Sequence, residues 1–140
     1  MPLIIASTPI GNLKDITLRT LESLKAADLI LCEDTRVTQK LLSNYGIKKP
    51  LLVYNDFKTP HEKILKELQQ EKNIVLVSDA GTPLMSDPGY KLIQECKKHN
   101  IPITVPIAAP LTTLSPMSYM KGEVCLDGQN CCIYGSIKLL

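Results

Sequence analysis

Asn73-Ile74-Val75-Leu76-Val77-Ser78-Asp79-Ala80-Gly81-Thr82-Pro83-Leu84-Met85-Ser86-Asp87-Pro88-Gly89 is the stretch whose reading decides the fold. It starts as an apolar run rich in β-branched residues, opens into a loop of small residues, and leaves through a helical pattern from Tyr90 to Asn100. A strand that opens in this way and passes into a helix is the strand-to-ligand geometry of parallel α/β sheets. Ala80 and Gly81 carry almost no side chain, so a ligand can approach the backbone there, and Gly81 takes a positive φ without steric cost. Pro83 and Pro88 each fix φ and remove an amide donor, which stiffens the loop. Pro88 suits the first turn of the following helix, with Asp87 as its cap.

The same alternation repeats outward in both directions. Leu3 to Ser7 reads as a first strand, followed by the loop Thr8 to Asp15 and a helix with Leu18, Leu21 and Leu24 on one face. Asp28 to Cys32 is a second strand, and Glu33-Asp34-Thr35-Arg36 follows it. Thr35 can cap a helix carrying Val37, Leu41, Leu42 and Tyr45, which Gly46 stops. Leu51 to Tyr54 is a third strand, and a helix from about Pro60 carries Ile64, Leu65 and Leu68. On the far side of the central stretch, Leu92, Ile93 and Cys96 mark a helical stripe, and Ile101 to Val105 reads as a fifth strand. The expected fold class is therefore α/β, a mainly parallel sheet flanked by helices on both faces. Ligand loops then belong at the carboxyl ends of the strands, where residues 8–15, 33–36 and 78–88 all fall.

Bulk properties agree with one soluble domain. The chain has 140 residues, 44% of them hydrophobic and 21% charged, with 4% aromatics and no Trp, so its core must be aliphatic. A net charge of +2 makes no case for nucleic acid or membrane by itself. There is no apolar run of membrane-spanning length and no basic start of a signal peptide, so the expected location is cytoplasmic, without a membrane partner. Cys32 and Cys96 read as small buried hydrophobes. Cys125, Cys131 and Cys132 lack Cys-x-x-Cys spacing and a second pair, so no metal is expected.

The loops are more informative for what they contain than for any nucleotide fingerprint. Neither Gly-x-Gly-x-x-Gly nor Gly-Lys-Ser/Thr occurs, which disfavours phosphate-rich nucleotides. That leaves open a ligand with an adenosine and an amino-acid end, held mainly by backbone amides and small residues. Asp15, Arg19, Glu33, Asp34, Arg36, Asp79 and Asp87 can converge above the sheet edge. Each has a plain structural alternative: Asp15 and Asp87 as helix caps, Arg19 as a solvated helix residue, Asp34 with Arg36 as an exposed ion pair. His61 and His99 read as surface residues at helix ends, without a nucleophile beside them.

Four segments in order carry a family resemblance. They are Thr8-Pro9-Ile10-Gly11-Asn12-Leu13 with Asp15-Ile16-Thr17-Leu18-Arg19, Cys32-Glu33-Asp34-Thr35-Arg36, Val77-Ser78-Asp79-Ala80-Gly81-Thr82-Pro83, and Ser86-Asp87-Pro88-Gly89-Tyr90. Together they resemble the ribosomal RNA small subunit methyltransferase I group of the tetrapyrrole methylase superfamily, from about Pro2 to Val105. The resemblance implies 2′-O-methylation of a cytidine in small-subunit ribosomal RNA, with S-adenosyl-L-methionine held between two α/β domains. It implies cofactor contacts from Ile10 and from Gly81, Thr82, Pro83 and Met85. In that setting Asp34, Glu33 or Asp15 can accept the hydroxyl proton, and Arg19 and Arg36 can hold phosphates. A homodimer is expected from the same resemblance.

After Val105 the family's Pro-Gly-Ala-Ser-like turn is missing, and Pro106-Ile107-Ala108-Ala109-Pro110 stands in its place. Residues 1–116 read as the amino-terminal domain, residues 117–140 as a divergent tail without clear periodicity, and the family's second domain as absent from this chain. On that reading the chain is not expected to methylate RNA unaided. The alternatives are a small-molecule methylase of the tetrapyrrole type and a non-catalytic remnant or binding module.

Overall fold

The structure, a computed structural model, describes residues 3–81, Pro83, residues 89–106 and the backbone of two later strands. In chain order the elements are β1 (Leu3–Ala6), α1 (Leu18–Ala26), β2 (Leu29–Cys32), α2 (Thr35–Asn44), β3 (Leu51–Val53), α3 (His61–Gln69), β4 (Ile74–Val77), α4 (Tyr90–Lys98), β5 (Ile103–Thr104), β6 (Val124–Leu126) and β7 (Gln129–Cys131). They form one sheet in the order β3-β2-β4-β1-β5-β6-β7. The first five strands are mutually parallel, as the alternation of strands and helices requires.

Position in the sheet explains the composition of each strand. β4 lies between β2 and β1, so both its faces are covered and Ile74, Val75, Leu76 and Val77 are all buried. Ile74 and Leu76 join one core with Leu31, Ile64, Leu65, Leu92 and Ile93, under α3 and α4. Val75 and Val77 join the opposite core with Leu24, Ala27, Leu42 and Ile47, under α1 and α2. β3 is an edge strand, and its Val53 stays 51% exposed. Cys32 and Cys96 are buried with free thiols, and burial pushes the Cys96 thiol up to about 12.

Helix ends differ from expectation in three places. Thr17, rather than Asp15, caps α1, its hydroxyl accepting from the Thr20 amide at 3.1 Å. Leu18 then falls at the first helical position, tipped out of the core stripe and 79% exposed, while Leu24 is buried. At α2 the cap is Asp34 instead of Thr35, because a carboxylate reaches the Arg36 amide at 2.9 Å. At α4 the cap position falls on Gly89, with φ +137°, instead of on Asp87; Asp87 itself lies outside the described residues. Gly46 ends α2 as expected, with φ +65°.

After residue 116 two strands are described. β6 continues the sheet parallel to β5, and β7 pairs antiparallel with β6. Three-residue strands are too short to show a period. The sequence signal available was Asp127-Gly128 between two such runs, a pair favoured in tight hairpins. The replacement for the glycine turn, residues 107–110, lies outside the described residues. Among the described residues no helix is long and apolar enough to cross a membrane.

Candidate functional site

The strand order makes the site. β2, β4 and β1 are neighbours and run the same way, so the loops leaving them emerge side by side at one edge. The first and fourth loops are joined by an isolated two-bond bridge: the Thr8 amide donates to the Gly81 carbonyl at 2.9 Å, and the Gly81 amide donates to the Thr8 carbonyl at 3.0 Å. Buried hydroxyls brace it, the Thr8 hydroxyl donating to the Ser78 carbonyl at 3.2 Å and the Ser78 hydroxyl to the Gly81 carbonyl at 3.1 Å. The second loop is tied in through the Asp79 carboxylate, which accepts from the Asp34 amide at 3.2 Å. The Tyr45 hydroxyl donates to the Leu13 carbonyl and holds the first loop to the end of α2.

Between these loops lies an open cleft of about 270 Å³. Its walls are Thr8, Pro9 and Gly11 of the first loop, Val37 and Thr38 of α2, and Ser78 and Asp79 after β4. Gly81 stands beside it with φ +82°, a conformation that L side chains rarely adopt. A Cβ on Gly81 would lie 3.4 Å from the Ile10 side chain, and one on Gly11 would meet open space. Bare backbone at both positions is what the close approach of a flat, adenosine-like group needs.

The residues singled out in the sequence do not all meet. Ile10 is 82% exposed and stands next to Gly81. Pro83 is buried; Thr82 and Met85 lie outside the described residues. Asp15 is exposed in the first loop, its amide bonded to the Asn12 carbonyl at 2.9 Å. Glu33 and Arg19 are half-buried at the start of the second loop and on α1. Asp34 and Arg36 form a two-pronged pair, Nε to Oδ1 at 3.2 Å and Nη2 to Oδ2 at 2.9 Å, with the Arg36 side chain 89% exposed. That contact, with the Arg36 amide, holds the Asp34 carboxyl below the usual carboxylate range.

The lowered pKa of Asp34 gives a pH prediction. Its lowered pKa stabilises the fold fully above the ordinary carboxylate range, and that contribution is lost as pH falls through the depressed value. Asp34→Ala is expected to melt below wild type near neutrality, with the gap closing in acid. Thermal melts of both proteins across pH check this; a gap that is constant with pH would contradict it.

One cluster escaped the sequence reading. Tyr54, 1% exposed at the end of β3, donates its hydroxyl to Asp56 Oδ1 at 2.6 Å. His61 Nε2 lies 2.9 Å from the same hydroxyl, its ring edge-on to Tyr54 at 5.8 Å. Both oxygens of Asp56 accept from the Gly89 amide at 3.1 Å. His61 is thus half-buried and bonded instead of a free surface residue. Burial and the Asp56 carboxylate push the Tyr54 hydroxyl well above the tyrosine range, so it stays a donor. A Tyr closing an apolar strand with Asp two residues on was the available signal.

Comparison with known proteins adds a family and several relatives. The sequence pattern of the family described as Tetrapyrrole (Corrin/Porphyrin) Methylases matches residues 2–110. The chain is 49% identical over 124 residues to "Ribosomal RNA small subunit methyltransferase I" of Thermotoga maritima, covering 86% of this chain and 56% of that protein. It is 50% identical over 121 residues to the protein of that name from Mycoplasmopsis pulmonis, covering 85% and 53%. Against the one from Escherichia coli O157:H7 the identity is 46% over 131 residues, covering 90% and 46%. The chain spans about half the length of the curated relatives it matches.

Proposed function

The chain belongs to the tetrapyrrole (corrin/porphyrin) methylase family, and from that premise we propose that it carries the cofactor edge of an S-adenosylmethionine-dependent methyltransferase acting on small-subunit ribosomal RNA. The observation that carries this reading is the similarity to proteins named as ribosomal RNA small subunit methyltransferases, at 46–50% identity over most of this chain, while the family pattern at residues 2–110 spans all three loops that meet at the cleft. When bound, S-adenosylmethionine supplies an electrophilic methyl group. This chain's residues supply the frame: Gly81 and Ile10 admit the adenosine, and the Thr8–Gly81 bridge fixes the spacing between their loops. Thr82, Pro83 and Met85 complete the cofactor contacts on the same reading.

The acceptor is a ribose 2′-hydroxyl of a cytidine, and its proton needs a carboxylate within reach. Asp34, Glu33 and Asp15 are the candidates for the acceptor role, and Asp34 also holds the start of α2 through the Arg36 amide. Arg36 keeps an exposed outer face for a phosphate, and Arg19 serves the same end from α1. A homodimer belongs to this proposal, and light scattering tests it.

The family's description favours a second reading, in which the acceptor is a corrin or porphyrin. Labelled-methyl transfer distinguishes them. The intact protein containing this chain is incubated with small ribosomal subunits lacking the modification and, in parallel, with a tetrapyrrole substrate. Incorporation into RNA alone is expected; transfer only to the tetrapyrrole, or to neither, overturns the proposal.

A further inference from the structure

Two short aromatic–lysine pairs, Phe57-Lys58 in the loop after β3 and Tyr90-Lys91 at the start of α4, come together on the surface. All four residues are exposed, Phe57 to 83%, and the Lys91 ammonium lies 3.9 Å from the centre of the Phe57 ring. We infer that this is a stacking platform for an unpaired nucleotide of the RNA substrate, with Phe57 taking the base and Lys91 a neighbouring phosphate. This rests on the reading of the cleft as one that acts on RNA.

The sheet places the ring. β3 runs parallel to β2, so the loop that leaves it opens on the same edge as the cleft. β3 and β4 are two strands apart, about 10 Å at the usual spacing, so RNA with a ribose in the cleft has flanking nucleotides within reach of Phe57. The loop itself is a closed turn that holds the ring outward. The Asn55 side-chain oxygen accepts from the Phe57 amide at 2.9 Å, and the Thr59 amide donates to the Asn55 carbonyl at 3.0 Å. Asp56, next to Phe57 in the chain, points inward and accepts from the Tyr54 hydroxyl and the Gly89 amide. Phe57 is the chain's one Phe, and it belongs to neither core.

The surroundings of the ring favour RNA over a protein partner. A protein interface is centred on a patch depleted of charge. Here the groove beside the ring, about 690 Å³ between α3 and α4, has a polar described lining apart from Pro60. Lys91, Lys98, Glu62 and Glu95 are part of it, Glu95 being paired with Lys98 at 2.6 Å. An isolated ring with an ammonium on one face suits a nucleotide. Stacking needs only the other face and works with any base, and the cation meets the backbone. Bases inside a duplex are already stacked, so the partner is single-stranded.

The test uses the intact protein containing this chain, with Phe57→Ala, Phe57→Leu, Phe57→Trp and Lys91→Gln. Lys72→Gln, just ahead of β4 and so at the opposite edge of the sheet, is the control cation. Binding to small ribosomal subunits lacking the modification and to their protein-free RNA, S-adenosylmethionine affinity and the thermal midpoint are read for each. Phe57→Ala and Phe57→Leu are expected to weaken binding to both RNA forms about tenfold, with cofactor affinity and midpoint unchanged, and Phe57→Trp to retain it. Lys91→Gln is expected to weaken binding and to flatten its dependence on log salt by about 0.7, while Lys72→Gln changes neither. The proposal is overturned if Phe57→Ala binds RNA like wild type, or if Phe57→Leu does, since any apolar side chain would then serve. Loss of binding to subunits but not to free RNA would put a ribosomal protein on the ring and overturn it too, as would RNA affinity that falls only together with the midpoint. Should Phe57→Ala fail to fold, Phe57→Leu against Phe57→Trp decides between the same outcomes. If the unaltered protein binds S-adenosylmethionine but neither form of RNA, the RNA reading of the cleft falls and the platform with it. Wild-type methyl transfer to RNA alongside unchanged binding by Phe57→Ala overturns the platform alone.

Discussion

Gly81→Val is expected to weaken S-adenosylmethionine binding by roughly a hundredfold and to lower stability at the same time. Gly81 sits at φ +82°, where an L residue costs about 1–2 kcal/mol and a β-branched one more. Its Cβ would also touch the exposed Ile10 side chain at 3.4 Å, so Ile10 must shift to make room for the two γ-methyls of valine. A backbone shift that relieves the strain at φ +82° is resisted by the two-bond bridge to Thr8 and by the Ser78 and Thr8 hydroxyls. Either the bridge breaks or the wall moves, and both change the face offered to the cofactor. Calorimetric titration alongside thermal melts reads the two effects separately. Gly81→Ala keeps most of the φ strain with the smallest side chain. Adding Ile10→Ala to it removes the contact but not the strain, which separates crowding from backbone conformation. A Gly81→Val protein that melts lower but binds with unchanged affinity would show that the glycine serves only the turn.

The loops that meet were legible because small residues, prolines and charges cluster after each apolar run, and parallel strands send those runs to one edge. What periodicity does not carry is strand order. Nothing along the chain says that β4 inserts between β2 and β1, and that insertion brings Asp79 to the Asp34 amide and Gly81 to Thr8. The Asp56 contact was hidden for the same reason. Asn55-Asp56 after a strand looks like ordinary turn chemistry, and its partner is a backbone amide 33 residues away, which carries no side-chain signature. Helix caps failed on a finer scale. Thr17 and Asp34 each neighbour another residue able to cap, and the choice depends on where the strand before the helix ends.

Leu76→Ala should be the most damaging single truncation in the described fold, costing about 2–5 kcal/mol of a total stability of roughly 5–15 kcal/mol. Leu76 is 2% exposed on the central strand, inside the core that α3 and α4 cover. The strand is flanked by β2 and β1 on both sides and buried on both faces, so neighbouring side chains cannot collapse into the gap without disturbing two ladders. Leu18→Ala makes the informative comparison. The sequence spacing put Leu18 on the same apolar stripe as Leu24, yet it is 79% exposed at the start of α1, and its truncation is expected to stay within about 0.5 kcal/mol of wild type. Urea unfolding of the two variants measures both. Equal losses would mean that α1 docks through Leu18 and that its amino end is placed differently. The consequence for function follows from connectivity. β4 runs directly into Ser78, Asp79 and Gly81, so the same cavity loosens the strand that presents the cleft. In Leu76→Ala, cofactor affinity should fall along with stability even though residue 76 touches no ligand, whereas Leu18→Ala should leave both unchanged.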